Sequence, residues 1–164
     1  MDHVWLVGMM GSGKTTVGVL VAQILGLPFV DIDAKIMADT GRTIAELFDD
    51  GEDHFRNVET EALKRIAGGE RSVIGTGGGA IVLRQNVSVM QASGTIILLD
   101  VDVAAIVDRV GLDPERPLLN SVDAVADIFE IRREMYKAVA DHVVETVGRE
   151  PSAVAREVAA CIDT

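Results

Sequence analysis

The run Gly8-Met9-Met10-Gly11-Ser12-Gly13-Lys14-Thr15 places glycines, a lysine and a hydroxyl residue at the spacing G-x-x-x-x-G-K-[ST]. Glycines at these positions let the backbone wrap a phosphate with its N–H groups, and a helix opening at the same point adds the positive end of its dipole. In that arrangement Lys14 reaches the β- and γ-phosphates of a nucleotide, and the Thr15 hydroxyl becomes a ligand for Mg²⁺. A pair of carboxylates follows in Asp31-Ile32-Asp33. Residues two apart in a strand share a face, so at a strand end both would point beyond the tip. One can organise Mg²⁺ and its waters while the other accepts a hydrogen bond from an attacking hydroxyl.

The elements that must position these groups read as alternating strands and helices. Five β-rich runs recur at Val4 to Gly8, Phe29 to Asp33, Ser72 to Thr76, Thr95 to Asp100 and His142 to Thr146. They are mostly continuous in Val, Ile and Leu, as strands buried on both faces of a parallel sheet should be. Helical patterns lie between them. Thr15 to Leu25 carries Val17, Leu20, Val21, Ile24 and Leu25, then Gly26 and Pro28 as stops. Thr43-x-x-Glu46 reads as a capping box opening a short helix through Phe48. Asp53 to Ala67 has Phe55, Val58, Ala62, Leu63 and Ile66 at helical spacing and ends at Gly68-Gly69. Further helices are expected at about Val103 to Val110, Val122 to Ala140 and Ser152 to Ile162. This order implies right-handed crossovers and a three-layer α/β fold, with ligands at the carboxyl ends of the strands.

Composition narrows the class. The chain has 164 residues with 15 Lys+Arg against 26 Asp+Glu, a net charge of −11, with 48% hydrophobic and 25% charged residues. That length suits one domain, and the composition excludes a disordered or low-complexity chain. The acidic excess and the lack of any basic run argue against nucleic acid as a partner. Gly8, Ser12 and Lys14 interrupt the N-terminal apolar run well short of a membrane span. Cys161 stands alone in the chain, which fits a reducing, cytoplasmic setting and a soluble, unprocessed protein. Asn57, Asn86 and Asn120 are followed by Val, Val and Ser, so there is no N-K-x-D guanine reader, and a mechanical ATPase would need more chain. A small-molecule kinase fits best, and it needs an acceptor site.

Four further segments complete a recognisable set: Gly51-Glu52-Asp53-His54-Phe55-Arg56 leading to Glu59, Gly75-Thr76-Gly77-Gly78-Gly79-Ala80, Arg116-Pro117-Leu118-Leu119, and Arg132 four residues before Tyr136. With the phosphate loop and the Asp31/Asp33 pair, from Val4 to about Pro151, the chain strongly resembles the shikimate kinase family. The resemblance implies a P-loop kinase fold of the nucleoside-monophosphate-kinase type, a five-stranded parallel sheet flanked by helices with a mobile lid. It implies one domain over 1–164, with a shikimate-binding region at about 31–62 and a lid at about 111–123. The activity implied is ATP-dependent phosphorylation of the shikimate 3-hydroxyl by a cytoplasmic monomer, with ATP and shikimate as partners and Mg²⁺ as cofactor.

Residue by residue, the resemblance places the nucleotide at Gly11, Ser12, Gly13, Lys14, Thr15, Thr16, Arg109, Arg116 and Arg149. It places shikimate at Asp33, Arg56, Gly77, Gly78, Gly79 and Arg132, and Mg²⁺ at Thr15 and, through water, at Asp31. Lys14, Asp33 and Arg116 carry the catalysis: Lys14 and Arg116 neutralise phosphoryl charge, and Asp33 orients the hydroxyl or accepts its proton. Two arginine forks suit one carboxylate. Gly75, where the family more often has Ser or Ala, and Gly148, where a further basic residue is common, depart from the pattern. Without the family pattern, Arg56 and Glu59 read as a surface ion pair of one helix. Arg133 reads as part of a solvated face, and Trp5, Tyr136 and the six methionines as packing residues. Cys161 shares a helical stripe with Val154 and Val158.

Overall fold

A computed structural model describes residues 2–112 and 119–162. Five parallel strands, β1 (His3–Val7), β2 (Phe29–Asp31), β3 (Val73–Gly75), β4 (Gly94–Asp100) and β5 (His142–Glu145), form one sheet in the order β2-β3-β1-β4-β5. β1 is central, with Leu6 opposite Gly75 of β3 and Ile97 of β4. The helices are α1 (Lys14–Leu25), α2 (Ile32–Thr40), α3 (Ile44–Asp49), α4 (Glu52–Ala67), α5 (Arg84–Ser93), α6 (Val103–Val110), α7 (Val122–Val139) and α8 (Pro151–Ile162), with a 3₁₀ turn at Ala80–Val82.

The expected alternation of faces is visible within single strands. Val4 and Leu6 of β1, with Ile97 and Leu99 of β4, pack against Val17 and Val21 of α1 and Val154 and Val158 of α8. Trp5, Val7, Ile96 and Leu98 turn the other way, onto a larger core containing Ile36, Phe55, Leu63, Met90 and Tyr136. Both faces are dry, which is why these strands carry near-continuous apolar runs. Cys161 packs beside the α1/α8 core as a partly buried residue.

Two elements differ from the sequence reading. β2 stops at Asp31, because the Asp31 carboxylate accepts the Ala34 N–H at 3.0 Å and so caps α2. Asp33 therefore lies in the first turn of a helix, not on a strand, and the two carboxylates are not related by a strand's two-residue repeat. The second difference is α5, between β3 and β4, which carries little apolar signal: its buried residues are Asn86 and Met90, and no side chain caps it. Residues 113–118, including Arg116 and part of the expected lid, lie outside the described residues. No helix among the described residues is long and apolar enough to cross a membrane.

Candidate active site

The phosphate loop joins β1 to α1. Gly8, Gly11 and Gly13 all have positive φ, at 148°, 75° and 91°. Gly8 admits no side chain, since a Cβ there would lie 2.7 Å from the Leu99 carbonyl oxygen. Gly13 sits at the N-terminus of α1, so the helix's first N–H groups face the loop. Lys14 folds back over the loop, its Nζ donating to the carbonyls of Gly8 at 2.6 Å and Met9 at 2.9 Å. Burial pulls its pKa down to about 8, against the opposing pull of Asp33 and Asp31. Thr15 Oγ1 donates to Asp31 Oδ2 at 3.1 Å.

A cavity of about 300 Å³ lies on one side of the loop, lined by Ser12, Gly13, Thr16, Arg109, Thr146 and Arg149 among others. Arg109 is anchored there by bonds to the Gly11 carbonyl at 2.8 Å and to Thr146 Oγ1 and O at 3.4 Å. Arg149 lines the same cavity, but its guanidinium is held by the Glu145 carbonyl at 2.9 Å and by Glu157 at 2.7 Å. Thr146, the residue that fixes Arg109, carries no motif in the sequence.

On the other side lies a smaller cavity of about 160 Å³ that brings together Asp33, Arg56, Gly77, Gly78, Gly79 and Arg132, with Glu59, Phe48, Phe55 and Ile44. Every acceptor residue expected from the sequence is thus in one place. Arg56 and Glu59 are a buried pair, not a surface one, with Arg56 Nη1 donating to Glu59 Oε1 at 2.8 Å. The Arg56 guanidinium lies 5.8 Å and 5.3 Å from the ring centroids of Phe48 and Phe55, which stack on each other. The glycines keep the backbone bare where side chains crowd in. A Cβ on Gly79 would fall 2.2 Å from Arg56 Nη2, and one on Gly77 would fall 3.3 Å from both Asp33 Oδ1 and Glu59 Oε2.

Tyr136 does more than pack. Its hydroxyl donates to the Gly78 carbonyl, and burial pushes its pKa up to about 12, so the phenol remains a donor. Glu59 and Tyr136 were legible only as neighbours of Arg56 and Arg132 at helical spacing. Burial, then the Asp31 charge, raises the Asp33 carboxyl above its ordinary range, and burial raises Glu59 despite its bond to Arg56. Four buried side-chain atoms among the described residues lack a hydrogen-bond partner: Asp33 Oδ1, Glu59 Oε2, Arg56 Nε and Arg133 Nε. Three of the four belong to residues lining this cavity. Unsatisfied buried polar groups are costly and uncommon. The lining mixes carboxylates with two guanidinium groups, which suits a small ligand that bears both hydroxyl donors and an anionic acceptor.

The shikimate kinase family model matches residues 10–163. The chain belongs to the shikimate kinase family. It is 42% identical over 159 residues to the shikimate kinase of Moorella thermoacetica, covering 95% of this chain and 91% of that one. With the shikimate kinase of Persephonella marina it shares 39% identity over 160 residues, covering 96% and 97%. The structure of the Acinetobacter baumannii shikimate kinase in complex with shikimate superposes with a TM-score of 0.91 at 34% identity, covering 99% of this chain and 93% of that one.

The hard-cation site expected of the family fits the residues present. Thr15 and Asp31 offer hydroxyl and carboxylate oxygens 3.1 Å apart, and because Thr15 gives its proton to Asp31, its lone pairs are left for a cation. No cluster of three or more His, Cys, Asp or Glu among the described residues could hold a metal unaided. Mg²⁺ takes one or two protein oxygens and completes its shell with phosphates and water.

Proposed function

We propose that this chain transfers the γ-phosphoryl group of ATP to the 3-hydroxyl of shikimate, yielding shikimate 3-phosphate and ADP on the route to chorismate and the aromatic amino acids. The observation that carries the reading is the convergence of Asp33, Arg56, Arg132 and the glycines 77–79 on one small cavity beside the phosphate loop. Arg56 and Arg132 take the carboxylate of the acid through their planar forks. Asp33 accepts from a ring hydroxyl, and its raised carboxyl makes it a better proton acceptor than an ordinary aspartate.

The nucleotide takes the other cavity, lined by Thr16, Arg109, Thr146 and Arg149. Its phosphates replace the loop carbonyls as partners of Lys14, whose charge then meets the transferring group. Thr15 would hold Mg²⁺ through its hydroxyl, and Asp31, its hydrogen-bond partner, would orient the ion through water. When bound, the ion supplies positive charge to the phosphate oxygens. As the acceptor oxygen bonds to the γ-phosphorus, the bond from that phosphorus to the β–γ bridging oxygen breaks, and the hydroxyl proton passes to Asp33. Positioning and charge do most of the work. The reading takes the enzyme as a monomer, and the lone cysteine suits the cytoplasm. The acidic exterior supports small anions, not nucleic acid, as ligands.

A coupled ADP-release assay with shikimate, quinate and gluconate tests the assignment. ADP release should depend on shikimate and exceed that with either other acid at least about tenfold. Asp33→Asn should lower turnover about 10²–10⁴-fold while ATP still binds. Faster release with gluconate, or unchanged kcat/KM for shikimate in Asp33→Asn and Arg56→Ala, overturns it.

A further inference from the structure

Arg132 reaches the acceptor cavity only while α7 keeps one rotation about its own axis. Side-chain heads stand about 6 Å from a helix axis, so a turn of about 10° moves them about 1 Å, enough to spoil a bidentate contact. Two polar attachments at neighbouring positions of one face of α7 set that rotation. The Tyr136 hydroxyl bonds to the Gly78 carbonyl. Three residues earlier, Arg133 Nη2 donates to Asp100 Oδ2 at 3.0 Å.

The second attachment is built on a fixed base. The Asp100 side chain is 4% exposed and that of Arg133 is 38%. Asp100 Oδ1 accepts the Val101 N–H at 3.1 Å, which holds the carboxylate at the end of β4. The Arg133 guanidinium lies 5.5 Å from the ring centroid of Phe129, one turn earlier on α7, so its stem is braced by its own helix. Arg133 is thus part-exposed, as its charged neighbours suggest, but its head is tied to a buried carboxylate. It clamps α7 to the tip of the strand next to the phosphate loop's own strand.

We propose that Arg133 is a positioning residue for the acceptor: its pairing with Asp100 fixes the axial rotation of α7 and so aims Arg132 at the acid's carboxylate. The inference rests on the assignment of Arg132 to the acceptor made above. The nucleotide side hangs on the other part of Asp100. Its backbone carbonyl accepts the Thr146 N–H at 3.1 Å and Thr146 Oγ1 at 2.8 Å, and Thr146 in turn holds Arg109. Loss of the Arg133 clamp thus acts on one substrate alone.

Steady-state kinetics on the full chain, with thermal melts alongside, test this in Arg133→Gln, Arg133→Lys, Asp100→Asn and Arg132→Gln. Arg133→Gln should raise KM for shikimate about 5- to 20-fold and leave kcat and KM for ATP within about twofold. Arg133→Lys should recover most of the loss, and adding Asp100→Asn to Arg133→Gln should worsen it little, because one interaction is removed in both. An unchanged KM for shikimate in Arg133→Gln, when Arg132→Gln raises it, overturns the proposal and leaves the site assignment standing. So does a parallel loss of kcat and of both KM values that follows the melting temperature. A normal KM for shikimate in Arg132→Gln overturns the site assignment and this inference together.

Discussion

Arg56 and Glu59 are joined across one turn of α4 with their side chains only 10% and 1% exposed, so the acceptor cavity is floored by a desolvated ion pair. Removing one partner of such a pair leaves a buried charge without compensation. Arg56→Ala should therefore lower stability by about 3 kcal/mol near pH 8. The Glu59 carboxyl already stands above its ordinary value through burial, so it can take up a proton when its partner goes. A carboxyl raised in the folded state contributes stability at low pH that is lost as pH rises through its folded value. The deficit of Arg56→Ala should thus shrink toward pH 5. Urea unfolding at the two pH values checks this, and an equal deficit at both contradicts it.

Asp33 gives a related expectation with the opposite consequence for the variant. Its carboxyl is raised chiefly by burial and secondarily by Asp31. Its stabilising contribution is complete below about pH 4, the value of an unfolded aspartate, and declines as pH climbs through the folded value. Asp33→Asn escapes that decline. Relative to the unmodified chain it should gain stability as pH rises from about 4 to the folded value of the Asp33 carboxyl and keep that gain above it, while losing turnover, a trade of activity against stability. Parallel urea titrations that show no pH trend in the difference would count against it.

Nucleotide binding should carry a proton signature from Lys14. With a pKa of about 8 in the free chain, Lys14 is partly neutral at pH 8, and phosphate favours the charged form. Affinity for ATP should fall as pH rises through about 8, and binding at pH 8 should take up a fraction of a proton. Isothermal titration in buffers of different ionisation enthalpy reads this directly. Lys14→Arg should abolish the uptake, since arginine does not titrate there.

Gly79→Ala disturbs the acceptor through Arg56. Gly79 has no left-handed φ, so the added methyl is unstrained in the backbone, and its nearest neighbours are the atoms of the Arg56 guanidinium. KM for shikimate should rise about tenfold or more because Arg56 is pushed from its place, and the melting temperature should fall no further than in Arg56→Ala, because the same pairing with Glu59 is disturbed. Gly94→Ala is the control. Its Cβ would lie 2.1 Å from the His3 carbonyl oxygen in β1, so it should unfold the chain more easily.

Motif and pattern made much of this legible. The buried strands announced themselves because both faces of the sheet are dry, and the phosphate loop because its positive-φ glycines admit few substitutes. What escaped was set by long-range packing. Asp33 reads as the strand end until the Asp31 carboxylate is seen capping α2, although Ile32 and Ile36 at helical spacing and Gly41 beyond were available as signals. The helix α5 was hidden because one of its inward residues is Asn86, which bonds Thr60 and the Ala80 carbonyl instead of supplying an apolar stripe. Arg133 resembled any surface charge, since its partner Asp100 lies 33 residues away in sequence.

The sheet order has a consequence for how such a chain can diverge. The phosphate loop leaves β1 and the glycine turn leaves β3, and these are adjacent strands, stitched again where Thr76 bonds the Leu6 carbonyl at 3.1 Å and 3.0 Å. Adjacent strands keep a spacing of about 4.8 Å whatever their side chains. The gap between donor and acceptor is accordingly a ruler built from backbone, beyond the reach of point substitution. The rest of the acceptor cavity comes from α2, α3, α4 and α7, which side-chain changes can reshape freely. New acids can therefore be admitted by rebuilding that perimeter while the span the phosphoryl group must cross stays constant.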